Sequence, residues 1–203
     1  MTKAAPVTIV NVGYRSTNYW VVSASTSRLL VDIGWPGTLG TMKANLKRKD
    51  VPLHEIRYAL ATHYHIYHAG LAEELKREGV PLLVLAVQIE AIPIMKSWTK
   101  PWDNYVDITP AGNVIISFEQ SRRLLGQIGI PGEILHTPGH SDHCVSLLLD
   151  DGSVFTGDLP PEAYAFDNPV ALATWRHLRE RGASRVYPAH GPIRSIDETP
   201  EPE

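Results

Sequence analysis

Three histidines lie close together in the segment Thr62–Gly70, at the end of an apolar run. His63, His65 and His68 have the spacing i, i+2, i+5. Because side chains alternate between the two faces of a strand, these three cannot share one strand face. A loop that leads from a strand into a helix can bring them together, and such loops often carry catalytic and binding groups. The pattern therefore indicates a metal site built on a loop.

Three further potential ligands also follow predicted strands. They are His140, Asp158 and His190, each at the end of a short apolar run. Neutral imidazole is a good ligand for zinc and similar metals, and a carboxylate can bridge two such ions. A lone histidine is more often a structural residue than a ligand. The recurrence of ligands at four strand ends nevertheless favours a site for two metals.

The strands and helices that must position these ligands alternate through most of the chain. Runs rich in β-branched residues at 7–12, 19–25 and 28–33 predict an antiparallel series of strands. Later strands are predicted at 56–61, 80–87, 114–117, 132–136, 145–149, 153–156 and 185–187, and helices at 38–49, 71–78, 88–98, 119–127 and 169–181. Asp150-Asp151-Gly152 is typical of a hairpin turn.

Segment 96–112 holds Trp98, Trp102 and Tyr105 among prolines and polar residues, and it predicts an ordered loop. Two interpretations stay open for it. The loop forms a rim or lid over a pocket, or its aromatic side chains pack over an edge of the core.

A chain of 203 residues is most simply one domain, which we place at 1–196. Such a domain buries a core without disulfides or a structural metal, so a metal here would serve chemistry. Residues 197–203 are acidic and rich in proline, and they predict a disordered tail.

The charge and the single cysteine restrict the partners and the compartment. The net charge is −3, with 19 basic and 22 acidic residues and no basic stripe, so nucleic acid is not an expected partner. Cys144 is the only cysteine, which agrees with a reducing cytosol, and we expect it to act as a small apolar residue. Without a signal-peptide region or a run of about 20 apolar residues, we expect a soluble cytoplasmic protein with no membrane partner.

The motifs together resemble the metallo-β-lactamase superfamily, which shares His-x-His-x-Asp-His, then Thr-Pro-Gly-His, Gly-Asp and a late Gly/Ala-His-Gly. The matching segments are Thr62-His63-Tyr64-His65-Ile66-Tyr67-His68, Thr137-Pro138-Gly139-His140, Gly157-Asp158 and Ala189-His190-Gly191. The resemblance spans nearly the whole chain. It implies an α+β fold, a four-layer αββα sandwich with the metals along one edge of its sheets.

The resemblance also implies which residues hold the metals. The first metal takes His63, His65 and His140, the second takes His68 and His190, and Asp158 bridges the two. One or two Zn²⁺ ions are expected, with iron or manganese as alternatives. Asp32-Ile33-Gly34 is similar to an early strand end of the family that supports the site without binding metal.

Tyr67 stands where the family has an aspartate that completes the second metal site and orients the attacking water. Three interpretations stay open. In the first, a nearby cation lowers the phenol pKa from about 10, so that Tyr67 becomes a phenolate ligand. In the second, the neutral hydroxyl donates a hydrogen bond to a developing oxyanion, a role worth about 2.7–4 kcal/mol. In the third, the side chain fills space and turns away from the metals. Tyr67 and Asp158 are the candidate catalytic residues.

Other polar residues lie near the motifs. His143 and Asp142 follow His140 closely, and Asp142 is a candidate replacement for the missing carboxylate, but a solvated loop is the favoured interpretation of both. The remaining histidines lack a motif and are predicted to be structural or surface residues: His54, His136 and His177.

The function that the resemblance implies is a metal-dependent hydrolase in which a metal-bound hydroxide attacks an ester-like bond of a small substrate, such as a thioester or lactone. The alternative is a weakened or inactive member of the fold that binds a ligand or a partner, and Tyr67 keeps that alternative open. An oxygen-handling iron protein is less expected, because such relatives usually carry glutamate where this chain has His65. The oligomeric state stays open, with a homodimer among the options.

Overall fold

In the computed structural model, which describes residues 7–25 and 27–199, the strands form two β-sheets. The first sheet contains, in spatial order, β1 (Thr8–Asn11), β2 (Trp20–Ala24), β3 (Ser27–Val31), β4 (Ile56–Leu60), β5 (Leu82–Leu85) and β6 (Asn113–Ile116). The second contains β7 (Gly132–His136), β8 (Val145–Leu149), β9 (Ser153–Gly157), β10 (Arg185–Pro188) and β11 (Arg194–Ser195). The helices are α1 (Leu39–Arg48), α2 (Ile66–Ala69), α3 (Ala72–Arg77), α4 (Ala91–Ile94), α5 (Phe118–Gln127) and α6 (Pro169–Glu180).

The strand directions place the site at one edge of the sheets. Strands β1 to β3 pair antiparallel, whereas β3, β4, β5 and β6 run parallel. Parallel neighbours end at the same edge, and Val31 of β3 pairs with Leu60 of β4. The residues that follow these two strands, Asp32 and Thr62, are therefore neighbours.

The two sheets pack face to face over a shared apolar core. The first sheet contributes Leu29 and Leu83, and the second contributes Leu147 and Phe155. Both sheets are also covered on their outer faces, so every residue of β2, β8 and β9 is buried. This explains why these strands are apolar without a polar alternation.

Helices form the two outer layers. Met42 and Leu46 of α1 and Leu75 of α3 pack with Leu30 and Leu82 on the outer face of the first sheet. On the second sheet, α6 packs through Trp175, Leu178 and their neighbours. Adjacent β3 residues, Leu29 and Leu30, thus serve different layers, as strand alternation requires. The layer order confirms the αββα sandwich.

The helix expected at 88–98 is not continuous. The segment instead forms 3₁₀ turns at Ala86–Gln88 and Met95–Trp98 with the single turn α4 between them. Pro93 lacks the N–H that a longer helix needs. Gln88 is buried, and its side-chain amide donates to the carbonyl oxygens of Ala61 (3.0 Å) and Thr62 (3.3 Å). The chain is therefore turned inward where the helix was expected to begin.

Segment 96–112 combines both interpretations offered for it. Tyr105 packs partly buried against the outer core of the first sheet. In contrast, Trp98 and Trp102 are 60% and 75% exposed, and the Trp98 ring lies 5.8 Å from the ring of His65. Trp98 therefore stands at the rim of the histidine cluster.

The C-terminal end of the described chain contacts α6. Asp197 forms an ion pair with Arg179 at 3.2 Å. Of the predicted tail 197–203, the part at 200–203 lies outside the described residues, so the tail and the domain limit at 196 stay predictions. Within residues 7–25 and 27–199, no helix is long and apolar enough to cross a bilayer.

The shared core gives a direct test of the two-sheet arrangement. Phe155 is fully buried, with its ring 4.8 Å from that of Tyr187 and 6.2 Å from that of Trp20. We expect Phe155→Ala to lower the free energy of unfolding by about 3–5 kcal/mol, measured by urea titration. Phe166→Ala, at a side chain 84% exposed, should change it by less than about 0.5 kcal/mol. Equal losses in the two variants would contradict this core.

Candidate metal centre

The structure brings the six candidate ligands together in two adjoining groups. In the first group, the ligand atoms of His63, His65, His140 and Asp158 all lie within 4.8 Å of one another. The second group consists of His68, Asp158 and His190 under the same limit. Asp158 belongs to both groups, which is the position of a bridging carboxylate.

The close approach of the two sheets sets the position of Thr62, directly before the first histidine. Its carbonyl oxygen accepts a hydrogen bond from the backbone N–H of Val145 at 2.9 Å. On the other side stands Gly157, with φ +57°, where an added Cβ would lie 2.3 Å from Thr62 Oγ1. A side chain at 157 would therefore push the strand that ends in Asp158 away from the histidine segment.

Thr62 also determines which nitrogen of His63 carries the proton. The Thr62 hydroxyl lies 2.9 Å from Asp32 Oδ1, a carboxylate oxygen that only accepts hydrogen bonds. Its single proton is therefore donated there. The contact of 3.2 Å between Thr62 Oγ1 and His63 Nδ1 then requires that Nδ1–H donates to the hydroxyl oxygen. The lone pair of His63 consequently lies on Nε2, which faces the first group.

The two histidines of the second group are oriented in a similar way. His190 Nδ1 donates to the backbone carbonyl of Ser16 at 2.6 Å, and its Nε2 lies 3.3 Å from Asp158 Oδ1. His68 Nδ1 lies 2.9 Å from Asp32 Oδ2, and its Nε2 lies 3.1 Å from Asp158 Oδ2. Both rings thus direct Nε2 towards the shared carboxylate, while Nδ1 is held by another group.

The surroundings favour charge on the aspartate. The pKa of Asp158 lies well below its usual range, because hydrogen bonds from His190 and His68 outweigh the opposing effect of burial. Burial and the neighbouring His140 lower the pKa of His65 to about 4. For His68, burial lowers the pKa, but Asp32 and Asp158 together raise it to about 9. A metal at the second group would therefore compete with a proton for His68.

A divalent metal fits these residues. His63 Nε2 is buried and has no hydrogen-bond partner among the residues that the structure describes, and Asp158 Oδ2 is 3.7 Å away. Leaving a buried polar atom unpaired costs about 1–3 kcal/mol, which metal coordination would offset. The donors, imidazole nitrogens with one carboxylate, suit zinc, iron and related ions.

Tyr67 faces the second group. Its ring centroid lies 4.7 Å from that of His68 and 5.9 Å from that of His190. The rings of Trp35 and of His65, a residue of the first group, lie 5.3 and 6.2 Å away. Burial and the charge of Asp158 raise the pKa of the phenol. In the field of the protein groups the hydroxyl is therefore neutral, and the side chain does not turn away from the cluster.

Asp142 and His143 lie outside both ligand groups. Asp142 is exposed, and its backbone carbonyl lies 2.7 Å from His136 Nε2. His143 Nε2 lies 3.3 Å from the backbone nitrogen of Tyr64. The carboxylate that Tyr67 replaces is therefore not supplied by Asp142.

Burial raises the pKa of the nearby Cys144 thiol to about 11, which agrees with its predicted apolar role.

A cavity of about 930 Å³ opens beside the cluster. Three ligands form part of its wall, and the remaining wall is largely apolar; the lining includes His140, Asp158, His190, Leu159, Pro161, Tyr164, Pro188 and Arg194. Loop 160–168 contributes Pro161 and Tyr164 to this wall. A volume of this size suits a small molecule.

Sequence reasoning did not find three supporting groups. Thr62 lies inside the histidine motif, so a search for hydroxyls beside ligands could have found it. Gln88 lies in a turn with no comparable signal. Ser16 acts through its backbone carbonyl, which every residue type has, and it is 174 positions from His190.

The role of Thr62 can be tested by removing its hydroxyl. Thr62→Val leaves His63 Nδ1 without its acceptor, and we expect metal affinity at the first group to fall about 10- to 100-fold. Competition with a chromophoric chelator measures this affinity. Thr62→Ser keeps the hydroxyl and should stay within about threefold of the parent. Unchanged affinity in Thr62→Val would show that the hydroxyl does not orient His63.

The chain is similar in sequence to a known family and to several curated proteins. The family model described as metallo-beta-lactamase superfamily matches residues 12–190. Lactamase-like protein aptB of Emericella nidulans is 27% identical over 92% of this chain and 54% of its own length. The atrochrysone carboxyl ACP thioesterase of Aspergillus fumigatus is 25% identical over 88% of this chain and 52% of its own. The chain thus spans about half the length of these curated relatives.

Solved structures share the fold. The BLEG-1 B3 metallo-beta-lactamase has a TM-score of 0.70 at 21% identity, covering 94% of each chain. TTHA1623, solved in a di-iron-bound form, has a TM-score of 0.69 at 22% identity, covering 94% of this chain and 95% of its own. At such identities the likeness concerns the fold alone. Together with the match over residues 12–190, it follows that the chain belongs to the metallo-beta-lactamase superfamily.

Proposed function

We propose that this protein is a metal-dependent hydrolase that cleaves an ester-like bond in a small substrate, with thioesters and lactones as the first candidates. The observation that carries the proposal is the convergence of two ligand groups on the wall of a 930 Å³ cavity. The relative named as a thioesterase supports the choice of a thioester.

Zn²⁺ is the proposed metal, in one or two ions. When bound, such ions would acidify a water to a pKa of about 7 and polarise the scissile bond. His63, His65 and His140 would hold the first ion, His68 and His190 the second, and Asp158 both. Iron is the alternative that the di-iron form of TTHA1623 supports, and manganese is a third candidate.

The chain's own groups give the centre its geometry. Asp158 Oδ2 lies 3.1 Å from His68 Nε2, 3.7 Å from His63 Nε2 and 3.8 Å from His140 Nε2, so this oxygen stands between the groups. Asp32 accepts a hydrogen bond from the Thr62 hydroxyl and lies 2.9 Å from His68 Nδ1, so it holds both residues in position. The apolar wall of the cavity excludes water from the bound substrate, which strengthens electrostatic interactions there.

Tyr67 has a proposed role of its own. Its ring lies beside the second group, and burial and Asp158 raise the pKa of the phenol, so the hydroxyl is a suitable donor to a substrate oxygen that gains negative charge. A donor of this kind is worth about 2.7–4 kcal/mol of transition-state stabilisation. The proposal thus favours the donor over the phenolate among the interpretations of Tyr67.

The first test removes one ligand. We expect His140→Ala to lose one metal equivalent and at least 100-fold of its thioester or lactone hydrolysis while keeping its circular dichroism spectrum. Metal content is measured by elemental analysis after metal-replete expression. His177→Ala, at an exposed histidine on α6, is the control and should keep both properties. Unfolding of His140→Ala would indicate a structural metal, and a parent protein free of metal would overturn the proposal.

A second candidate function is a binding module without catalysis, and the substitution at Tyr67 is what favours it. Asp158, His68 and His190 form a group of only three ligands, which leaves the second metal less strongly held than in a four-ligand site. The two functions differ in what a carboxylate at position 67 would do.

We expect Tyr67→Asp to bind the second metal more tightly than the parent, because it adds a carboxylate ligand, and to hydrolyse a generic ester or lactone faster than Tyr67→Phe, which lacks the phenol hydroxyl in the same way. Tyr67→Phe removes only the hydroxyl, and we expect kcat to fall about 100-fold or more at unchanged metal content. Chelator competition and initial rates measure both effects. In Tyr67→Asp, a metal affinity equal to the parent's together with a rate no higher than that of Tyr67→Phe would count against a catalytic second site, and an unaffected kcat in Tyr67→Phe would exclude the donor role.

A further inference from the structure

Arg194 of β11 is a buried cation on the wall of the same cavity. Its residue surface is 8% exposed, and it lines the cavity together with Asp158 and His190. In residues 7–25 and 27–199 its guanidinium has no hydrogen-bond or ion-pair partner. Its one marked contact is the ring face of Trp175, 5.3 Å from the guanidinium carbon.

This lack of partners sets Arg194 apart from other shielded arginines. Arg28 pairs with Glu55 at 2.8 Å, and Arg179 pairs with Glu162 at 2.6 Å. A guanidinium carries five N–H donors, and no described residue of the protein satisfies those of Arg194. The donors of Arg194 are therefore available to a group that enters from the cavity.

The neighbouring acidic residues do not satisfy Arg194. Glu162 and Asp197 are both paired with Arg179. Burial lowers the pKa of Arg194, and the negative charge of Glu198, which also lines the cavity, partly offsets this without a direct contact. The Glu198 carboxylate instead accepts a hydrogen bond from the backbone nitrogen of Ser195 at 3.3 Å. The guanidinium thus remains the cation available to an anion at this wall.

The position of Arg194 is fixed relative to the metal centre. Its backbone pairs with Val186 of β10, the strand that leads to His190. Arg194 lies four positions after His190, so their Cα atoms are at most about 14 Å apart. Apolar side chains, including Leu159 and Pro161, line the same cavity. A molecule with an anionic end, a short apolar middle and a reactive bond matches this order.

We propose that Arg194 binds a carboxylate or phosphate group of the substrate and so selects anionic substrates. The planar fork of the guanidinium suits both groups, because either can accept two parallel N–H bonds. As an account of substrate choice, this inference rests on the proposed hydrolase function. Anion binding by Arg194 is separable from hydrolysis.

The binding test titrates the metal-loaded protein with glutarate and, separately, with inorganic phosphate in a calorimeter. We expect Arg194→Gln to weaken binding of at least one anion tenfold or more, and Arg194→Lys to fall between it and the parent. Arg176→Gln, at an exposed arginine on α6, is the matched control and should bind like the parent. Anions held by the metals alone would bind equally in all four proteins, which would overturn the proposal.

The catalytic test compares 4-nitrophenyl hydrogen glutarate with the uncharged ester in which an amide replaces the free carboxylate. In Arg194→Gln we expect KM for the charged ester to rise tenfold or more, with kcat and the uncharged ester little changed. Hydrolysis without any preference that depends on Arg194 would overturn the inference and leave the hydrolase proposal in place. Anion binding that depends on Arg194, without hydrolysis, would do the reverse. Arg194→Lys keeps a cation at the end of a long side chain beside Trp175, and comparing the melting temperatures of both variants with that of the parent controls for a folding defect.

Discussion

One buried carboxylate, that of Asp32, holds the metal centre and the fold together. It accepts from the backbone nitrogen and the hydroxyl of Thr62 at 2.8 and 2.9 Å, and its second oxygen lies 2.9 Å from His68 Nδ1. Asp32 itself adopts φ +59°, a left-handed conformation that aspartate tolerates better than most residues. A single side chain thus orients ligands of both groups, and its removal would leave several buried donors unpaired.

The centre also joins the two sheets. Segment 63–68 follows the first sheet, whereas His140, Asp158 and His190 follow strands of the second. The hydrogen bond from Val145 to Thr62 and the close approach of Gly157 to Thr62 hold the ligand segments of the two sheets next to each other. These contacts do not involve the ligand side chains. The packed core between the sheets therefore sets the distances in the site.

Much of this arrangement could be predicted, and the limits have physical causes. The ligands could be predicted because histidine and aspartate residues recur at the ends of four predicted strands. The sandwich came from the resemblance to a family, since the number of predicted strands and helices was only compatible with it. The broken helix at 88–98 depends on Gln88 turning inward, a tertiary contact with no local signal. The same holds for the Ser16 carbonyl and for Arg194, whose isolation depends on which acidic side chains pair elsewhere.

The backbone around Tyr67 is secured without help from its side chain. Its carbonyl oxygen accepts from the Tyr19 hydroxyl at 3.1 Å, and the adjacent His68 donates to His65 at 3.0 Å and accepts from Ile33 at 2.7 Å. A change of the side chain at position 67 therefore leaves the backbone of the neighbouring ligands His65 and His68 in place. During divergence, a lineage could exchange the side chain there in one mutational step while inheriting an intact scaffold, which makes position 67 a place where new chemistry can arise at little structural cost.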